Sequence, residues 1–228
     1  MATILSLECA TGITSVAVHH TGTCVGEAGT HLPQAASSQL MPLVDQAMHA
    51  AGIHRSDLQA VAVSAGPGSY TGLRIGVATA KGICYALGLP LLAVSTLEIL
   101  VQEMLARKDQ DPCHFCPMID ARRMEVYCNV YNHAGREVMP VGARIIDSSS
   151  FHEFLQQGPV YFFGDGSAKC QAVLQHPNAR FVPNISPQAR HMGALAWRQW
   201  QQNLFCNLAE FEPLYLKDFI AKKPNPRL

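Results

Sequence analysis

One stretch restricts the fold more than any other: "SAGPGSYTGLRIGVATAKG", Ser64 to Gly82. After Pro67 it reads as a helix, yet it carries Gly72, Gly76 and Gly82. Glycine inside a helix costs roughly 1 kcal/mol relative to alanine. Three of them therefore cost roughly 3 kcal/mol, a large part of a net domain stability of about 5–15 kcal/mol. The helix must recover that loss through packing that larger residues would prevent. On a helix from Thr71 to Leu87, Gly72, Gly76, Ala80 and Cys84 form one ridge of small residues. Ala78, Gly82 and Ala86 form a second, because residues four apart stack along one face. Small ridges let another backbone come close, so more atoms fall within dispersion range. With Leu73, Val77 and Tyr85 at their borders, the two ridges are expected to make one broad smooth surface. Part of that surface is expected to meet another chain.

The rest of the chain supplies alternating strands and helices. "TILSL" (3–7), "SVAVHH" and "CVGEA" read as three strands, the last two joined by the turn "HTGT". "SSQLMPLVDQAMHAAG" reads as a helix capped by Ser37 or Ser38 and ended by Gly52, with Leu40, Leu43, Val44, Ala47 and Met48 on one face. Pro42 then has to sit in its first turn, where a missing N–H is no loss. Strand "LQAVAVSA", the glycine-rich helix, strand "PLLAVS" and a helix from Thr96 to Arg107 complete a β-β-β-α-β-α-β-α lobe. "KDQDPCH" (108–114) is polar and marks the boundary between lobes 1–108 and 109–228. The second half starts over with "FCPMID", "MEVYCNVYN" and "EVMPVGARIID" as strands. Helix "SSFHEFLQQG", strand "VYFFG" and helix "SAKCQAVLQ" follow. H-x-G-x-x-V occurs in both halves, at His20–Val25 and His133–Val138, in each case shortly after an acid that ends a strand (Glu8, Asp120). This echo points to duplication. A late helix, "QARHMGALAWRQWQQN", and a tail are expected to pack back on the first lobe. Two such lobes around mixed sheets, the second reduced, resemble the α/β actin-like ATPase fold.

Composition narrows the function. The chain of 228 residues is 48% hydrophobic and 15% charged, with 17 basic and 17 acidic side chains. A neutral chain does not announce nucleic acid as its principal ligand. No signal peptide and no apolar run of about 18 residues is visible, so a cytoplasmic protein off the membrane is expected. Eight cysteines then read as reduced thiols. Cys113 and Cys116 form a C-x-x-C that lacks the second ligand pair of a structural zinc site.

Most catalytic motifs fail. Walker A needs Gly-Lys, and Lys81 follows Ala80. "AVSAG" has Ala62 where a nucleophile elbow has its first glycine. "HEFLQ" ends in Gln156 instead of the second histidine of H-E-x-x-H. Glu8 is the remaining candidate, with Thr11 and Gly12 as remnants of a phosphate loop. Actin-like ATPases carry acid-x-Gly-Thr there. "ECAT" puts Ala10 in the glycine position, where a methyl narrows the approach to a phosphate. The alternative is a solvated or hydrogen-bonded acid at a strand end.

"GPGSYTGLRIGVATAKGICYALGLPLLAVSTLE", "ILSLECATGITSVAV", "LMPLVDQAM", "DARRMEVY" (120–127) and "PLYLK" (213–217) together resemble the bacterial TsaB proteins, also called YeaZ. The resemblance covers nearly the whole chain. It implies a cytoplasmic subunit, not an enzyme by itself, of the machinery that places threonylcarbamoyl on N6 of the adenosine beside the anticodon in tRNAs reading ANN codons. It implies a direct heterodimer with the catalytic homologue TsaD, an assembly that includes TsaE, and a homodimer in isolation. ATP, ADP and metal belong to those partners, and tRNA is met only through them. The implied interface comprises Leu40, Met41 and Val44 of the first helix with Thr71, Gly72, Leu73, Arg74, Gly76, Val77 and Ala80 of the second. No catalytic residue and no metal ligand is expected, because Thr96 and Leu100 stand where TsaD has its H-x-x-x-H. A Thr–Leu pair cannot hold a divalent ion as two imidazoles do. A peptidase-like metalloprotease and a small-molecule kinase of the same fold remain as alternatives. The missing histidines speak against the first and "ECAT" against the second. Glu8 in place of the usual Asp, and Ala36 and Ser37 where relatives carry a histidine before the Ser or Thr, are the departures.

Overall fold

The computed structural model describes residues 2–32, 36–107 and 113–217. The expected boundary at 108–114 falls mostly outside them. The first half forms β1 (Thr3–Glu8), β2 (Thr14–His20), β3 (Thr23–Thr30), α1 (Ala36–Ala51), β4 (Ala60–Ser64), α2 (Tyr70–Leu87), β5 (Leu91–Val94) and α3 (Thr96–Leu105). The second forms β6 (His114–Asp120), β7 (Glu125–Asn132), β8 (Glu137–Ile145), α4 (His152–Gln157), β9 (Val160–Phe163), β10 (Ala179–Val182) and α5 (Gly193–Gln201). The strands make two sheets, ordered β3-β2-β1-β4-β5 and β8-β7-β6-β9-β10. In each, a meander pairs antiparallel and the next two strands add in parallel beside its first strand. The same five-strand order thus occurs twice, and the fold is the two-lobed actin-like one.

β1 and β4 are almost wholly buried because helices cover both faces of their sheet. On one face Leu5, Leu7, Val16, Val61 and Val63 meet Leu40, Val44 and Ala47 of α1 and Val77 and Ala80 of α2. On the other, Ile4, Ala17, Ala62 and Val94 meet Met192, Leu195 and Ala196 from α5 and the short 3-10 turn Ala189–Met192 before it. α3 carries Leu97, Leu100 and Met104 across to Phe115, Ile119 and Phe163 of the second sheet. Each lobe is therefore completed by a helix whose sequence lies in, or borders, the other.

Four local readings need correction. α1 starts at Ala36, so Ser37 and Ser38 lie within its first turn and Pro42 lies inside the helix beyond that turn. "SAKCQAVLQ" makes only a 3-10 turn at Ala168–Cys170 followed by turns, since Gly164 at φ 98° and the bonds back to it coil the chain tightly. Strand β10, which directly follows "HPN", escapes the pattern because it is short and half exposed. The late helix is split into the Ala189–Met192 turn and α5. Among the described residues no helix is long and apolar enough to cross a membrane.

Candidate functional site

α2 is set by its ends. The Ser69 hydroxyl accepts the Gly72 N–H at 3.3 Å, and Gly88 in the left-handed region, φ 67°, closes the C-terminus. Its first ridge is internal. A Cβ on Gly72 would collide with the Cys9 carbonyl oxygen, and one on Gly76 would lie 3.5 Å from Cys9 Cβ and 3.6 Å from Val63 Cγ2. Gly68 is pressed against Ala10 in the same way, and Ala10 O accepts the Ser69 N–H at 2.7 Å. The glycines at 68 and 72 thus let α2 lie directly on the loop that leaves β1, while at Gly76 a methyl would just touch Cys9 and Val63. The second ridge faces outward: Ala78, Gly82 and Ala86 are not buried, and nothing lies within 4 Å of a Cβ built on Gly82. Tyr85 beside it is 85% exposed and Leu87 39%.

The expectation of one continuous surface is therefore corrected. At 100° per residue the two ridges are centred about 140° apart, so one can be buried while the other faces solvent. Of the expected contact residues, Leu40, Val44, Gly72, Leu73, Gly76, Val77 and Ala80 are core of the lobe. Met41, Thr71 and Arg74 are exposed. The free face consists of these three with Ala78, Gly82, Tyr85 and Ala86. α1 packs beside α2 and adds Met41, 42% exposed.

Glu8 is fully buried, so the solvated reading of this acid fails. Its Oε1 accepts the Ala10 N–H at 2.6 Å, and its Oε2 has no partner among the described residues. Burial pushes the carboxyl from 4.5 up to about 7, against the lowering effect of the Ala10 N–H and the Ser64 hydroxyl. The loop's backbone is committed internally, through the Glu8–Ala10 and Ala10–Ser69 bonds. Of the remaining loop remnants, Thr11 is half-buried and Gly12 exposed. The Ala10 N–H, at the position of the usual glycine, is thus turned to Glu8 and away from any phosphate.

Thr96 and Leu100 are both fully buried on α3, Leu100 against the second sheet. Cys113 and Cys116 fall into different core clusters on opposite faces of the second sheet, because side chains three apart on an extended chain point to opposite sides. This geometry denies them a shared ligand. Among the described residues no group of three or more His, Cys, Asp or Glu is placed to hold a metal ion. The purified chain is expected to lose any divalent ion to a chelator. Elemental analysis finding about one ion per chain after that treatment would refute the reading of Thr96 and Leu100.

A family model described as TsaD, tRNA N6-adenosine threonylcarbamoyltransferase, matches residues 30–224. The tRNA threonylcarbamoyladenosine biosynthesis protein TsaB of Escherichia coli is 28% identical over 98% of both chains. The Bacillus subtilis protein of the same description is 34% identical over 58% of this chain and 56% of its own. Among solved structures, YeaZ from Pseudomonas aeruginosa superposes with a TM-score of 0.81 at 28% identity, covering 95% of this chain and all of that one.

Proposed function

Because the chain belongs to the tRNA N6-adenosine threonylcarbamoyltransferase family and, within it, to the TsaB (YeaZ) proteins, we propose that it acts in tRNA threonylcarbamoyladenosine biosynthesis as a partner subunit without catalysis of its own. The observation that carries this reading is the outward ridge of Ala78, Gly82 and Ala86 on a helix capped at both ends. Such a ridge lets a second helix approach closely over a small area. Its occupant is TsaD, or in isolation a second copy of this chain. TsaE joins the assembly, and ATP, ADP and metal reside on those partners. The buried Thr96 and Leu100 leave α3 without the donors that a metal-dependent transferase places there.

Reconstitution tests the proposal. The chain mixed with TsaD, TsaE, threonylcarbamoyl-adenylate, ATP and a tRNA that reads an ANN codon should yield modified adenosine. Omitting TsaD should abolish the product. Modified adenosine formed without TsaD would overturn the non-catalytic role, and full activity without this chain would overturn its membership of the complex.

A further inference from the structure

The connection from β6 to β7 breaks a local rule. Arg122 and Arg123 both adopt positive φ, 72° and 51°. For a residue with a Cβ that region costs roughly 1–2 kcal/mol per position, and glycine or asparagine would sit there at ease. The surrounding bonds hold the turn in this shape. The Asp120 carboxylate accepts the Arg122 N–H at 2.8 Å, and the Glu125 N–H reaches Arg122 O at 3.2 Å. Neither arginine packs into the core, since both are exposed.

The local acids are already engaged. Lys169 bonds Asp120 and, at 2.7 Å, the Glu125 carbonyl. Lys217 pairs with the Glu125 carboxylate. Asp165 accepts the Asp120 N–H at 2.9 Å. Burial acts to raise the Asp120 carboxyl, but Lys169, the Arg122 N–H and the Arg122 charge together hold it below its usual value, so it stays ionised. Elsewhere Arg55, Arg107, Arg190 and Arg198 each form an ion pair with a carboxylate. Among the described residues the two guanidinium groups of the turn form no ion pair, as is also true of Arg74, Arg136, Arg144 and Arg180, although the Arg122 charge does act on Asp120. Lys217, at the end of the described chain, is tied to this turn, and the sequence after it carries Lys222, Lys223 and Arg227 against Asp218. The sequence after Lys217 is thus net basic.

We propose that the Arg122–Arg123 turn is a phosphate-backbone contact for tRNA. The inference rests on the proposed part in tRNA modification and goes beyond the expectation that tRNA is met only through partner subunits. Strained positions at which a packing reason is lacking are where function is sought. Guanidinium groups suit the task, because their planar forks pair with two phosphate oxygens at once.

The test uses the full chain and a fluorescent tRNA that reads an ANN codon, followed by anisotropy at salt concentrations of about 50 and 200 mM. The double variant Arg122→Asn/Arg123→Gly places turn-compatible residues there, so its melting temperature should rise by a few degrees. Its tRNA affinity at low salt should fall about tenfold, and the slope of log affinity against log salt should flatten by roughly two, one for each phosphate that is no longer neutralised. The variant Arg55→Gln/Arg180→Gln, with the same charge change elsewhere, should bind nearly as the wild type does. Wild-type affinity in the Asn/Gly variant, an equal loss in the control, or no tRNA binding by the wild type would each overturn the proposal. Arg122- and Arg123-dependent binding of ATP that displaces the tRNA would overturn it in favour of a nucleotide site. All four outcomes leave the subunit role to be read separately, by the reconstituted activity with TsaD.

Discussion

Replacing Gly82 with leucine is expected to weaken association with TsaD about ten- to a hundredfold while the isolated chain melts no lower than the wild type. The side chain would enter open space in the monomer and remove a helix glycine that costs roughly 1 kcal/mol. In the complex it would hold two backbones apart, and overpacking of that kind costs about 1–3 kcal/mol. Gly72→Ala should do the reverse. Its methyl meets the Cys9 carbonyl, which is backbone and cannot yield. A loss of about 3 kcal/mol would lower the melting temperature by roughly 10 °C in a chain of this size, with affinity per folded molecule little changed. Gly76→Leu belongs with Gly72, since it would crowd Cys9 and Val63. Calorimetry and a binding titration on these variants separate the two faces of α2. If Gly82→Leu binds TsaD as well as the wild type does, the outward ridge is not the interface.

Glu8→Gln is expected to change how stability depends on pH. A carboxyl whose pKa is raised from 4.5 to about 7 on folding binds more protons in the folded state across that window. Its stabilising contribution is present below 4.5 and lost as pH rises to 7, by about 3 kcal/mol. His19 acts oppositely. It is buried, its Nδ1 3.0 Å from the Ser6 hydroxyl and its Nε2 3.2 Å from the Arg190 carbonyl. Burial lowers it from 6.5 to about 4, against the Arg190 bond, which raises it. The unfolded chain therefore binds the extra proton, and stability rises with pH between 4 and 6.5. The two effects oppose each other, so Glu8 offsets His19 in this range, while His114 and His191, also lowered by burial, act in the same sense as His19. Glu8→Gln removes that offset. Its stability should climb by about 3 kcal/mol between pH 4 and 6.5 and exceed that of the wild type at about pH 8. Denaturant titrations at a series of pH values decide it. A variant profile parallel to that of the wild type would mean that the Glu8 carboxyl titrates alike in the folded and the unfolded chain, so that burial does not raise it.

Much of the fold could be read from residues whose signals are local and strong. Short apolar runs such as "AVAVS" mark the buried strands, and Gly52 and Gly88 mark helix ends by their need for positive φ. The repeat of H-x-G-x-x-V anticipates two sheets with one strand order. The misses share a cause. β10 is too short for periodicity to show, and at 168–174 the pattern allows a helix that tertiary context replaces with turns. The site is harder to read. Small residues mark close approach but not the identity of what approaches, so Gly72 and Gly82 look alike in sequence. They differ only because the loop after β1 happens to lie under one of them. Glu8 can be found as an acid ending a strand, but its isolation from water depends on packing between distant segments. The turn at Arg122 and Arg123 is legible only as two basic residues, since its strain exists in φ alone.

The helices traded between the lobes have a mechanical consequence. α3 contributes to the core of the second sheet, and α5 with the turn before it seals the first. The chain then returns once more: the Leu214 N–H bonds Ala65 O at 2.7 Å, Tyr215 packs on Tyr70, and Lys217 reaches Glu125. An enzyme that closes over its nucleotide needs two bodies joined by a pliable link. Here apolar side chains of α3 and α5 lie in cores that span the junction, so swinging one body away from the other would expose apolar surface of both to water.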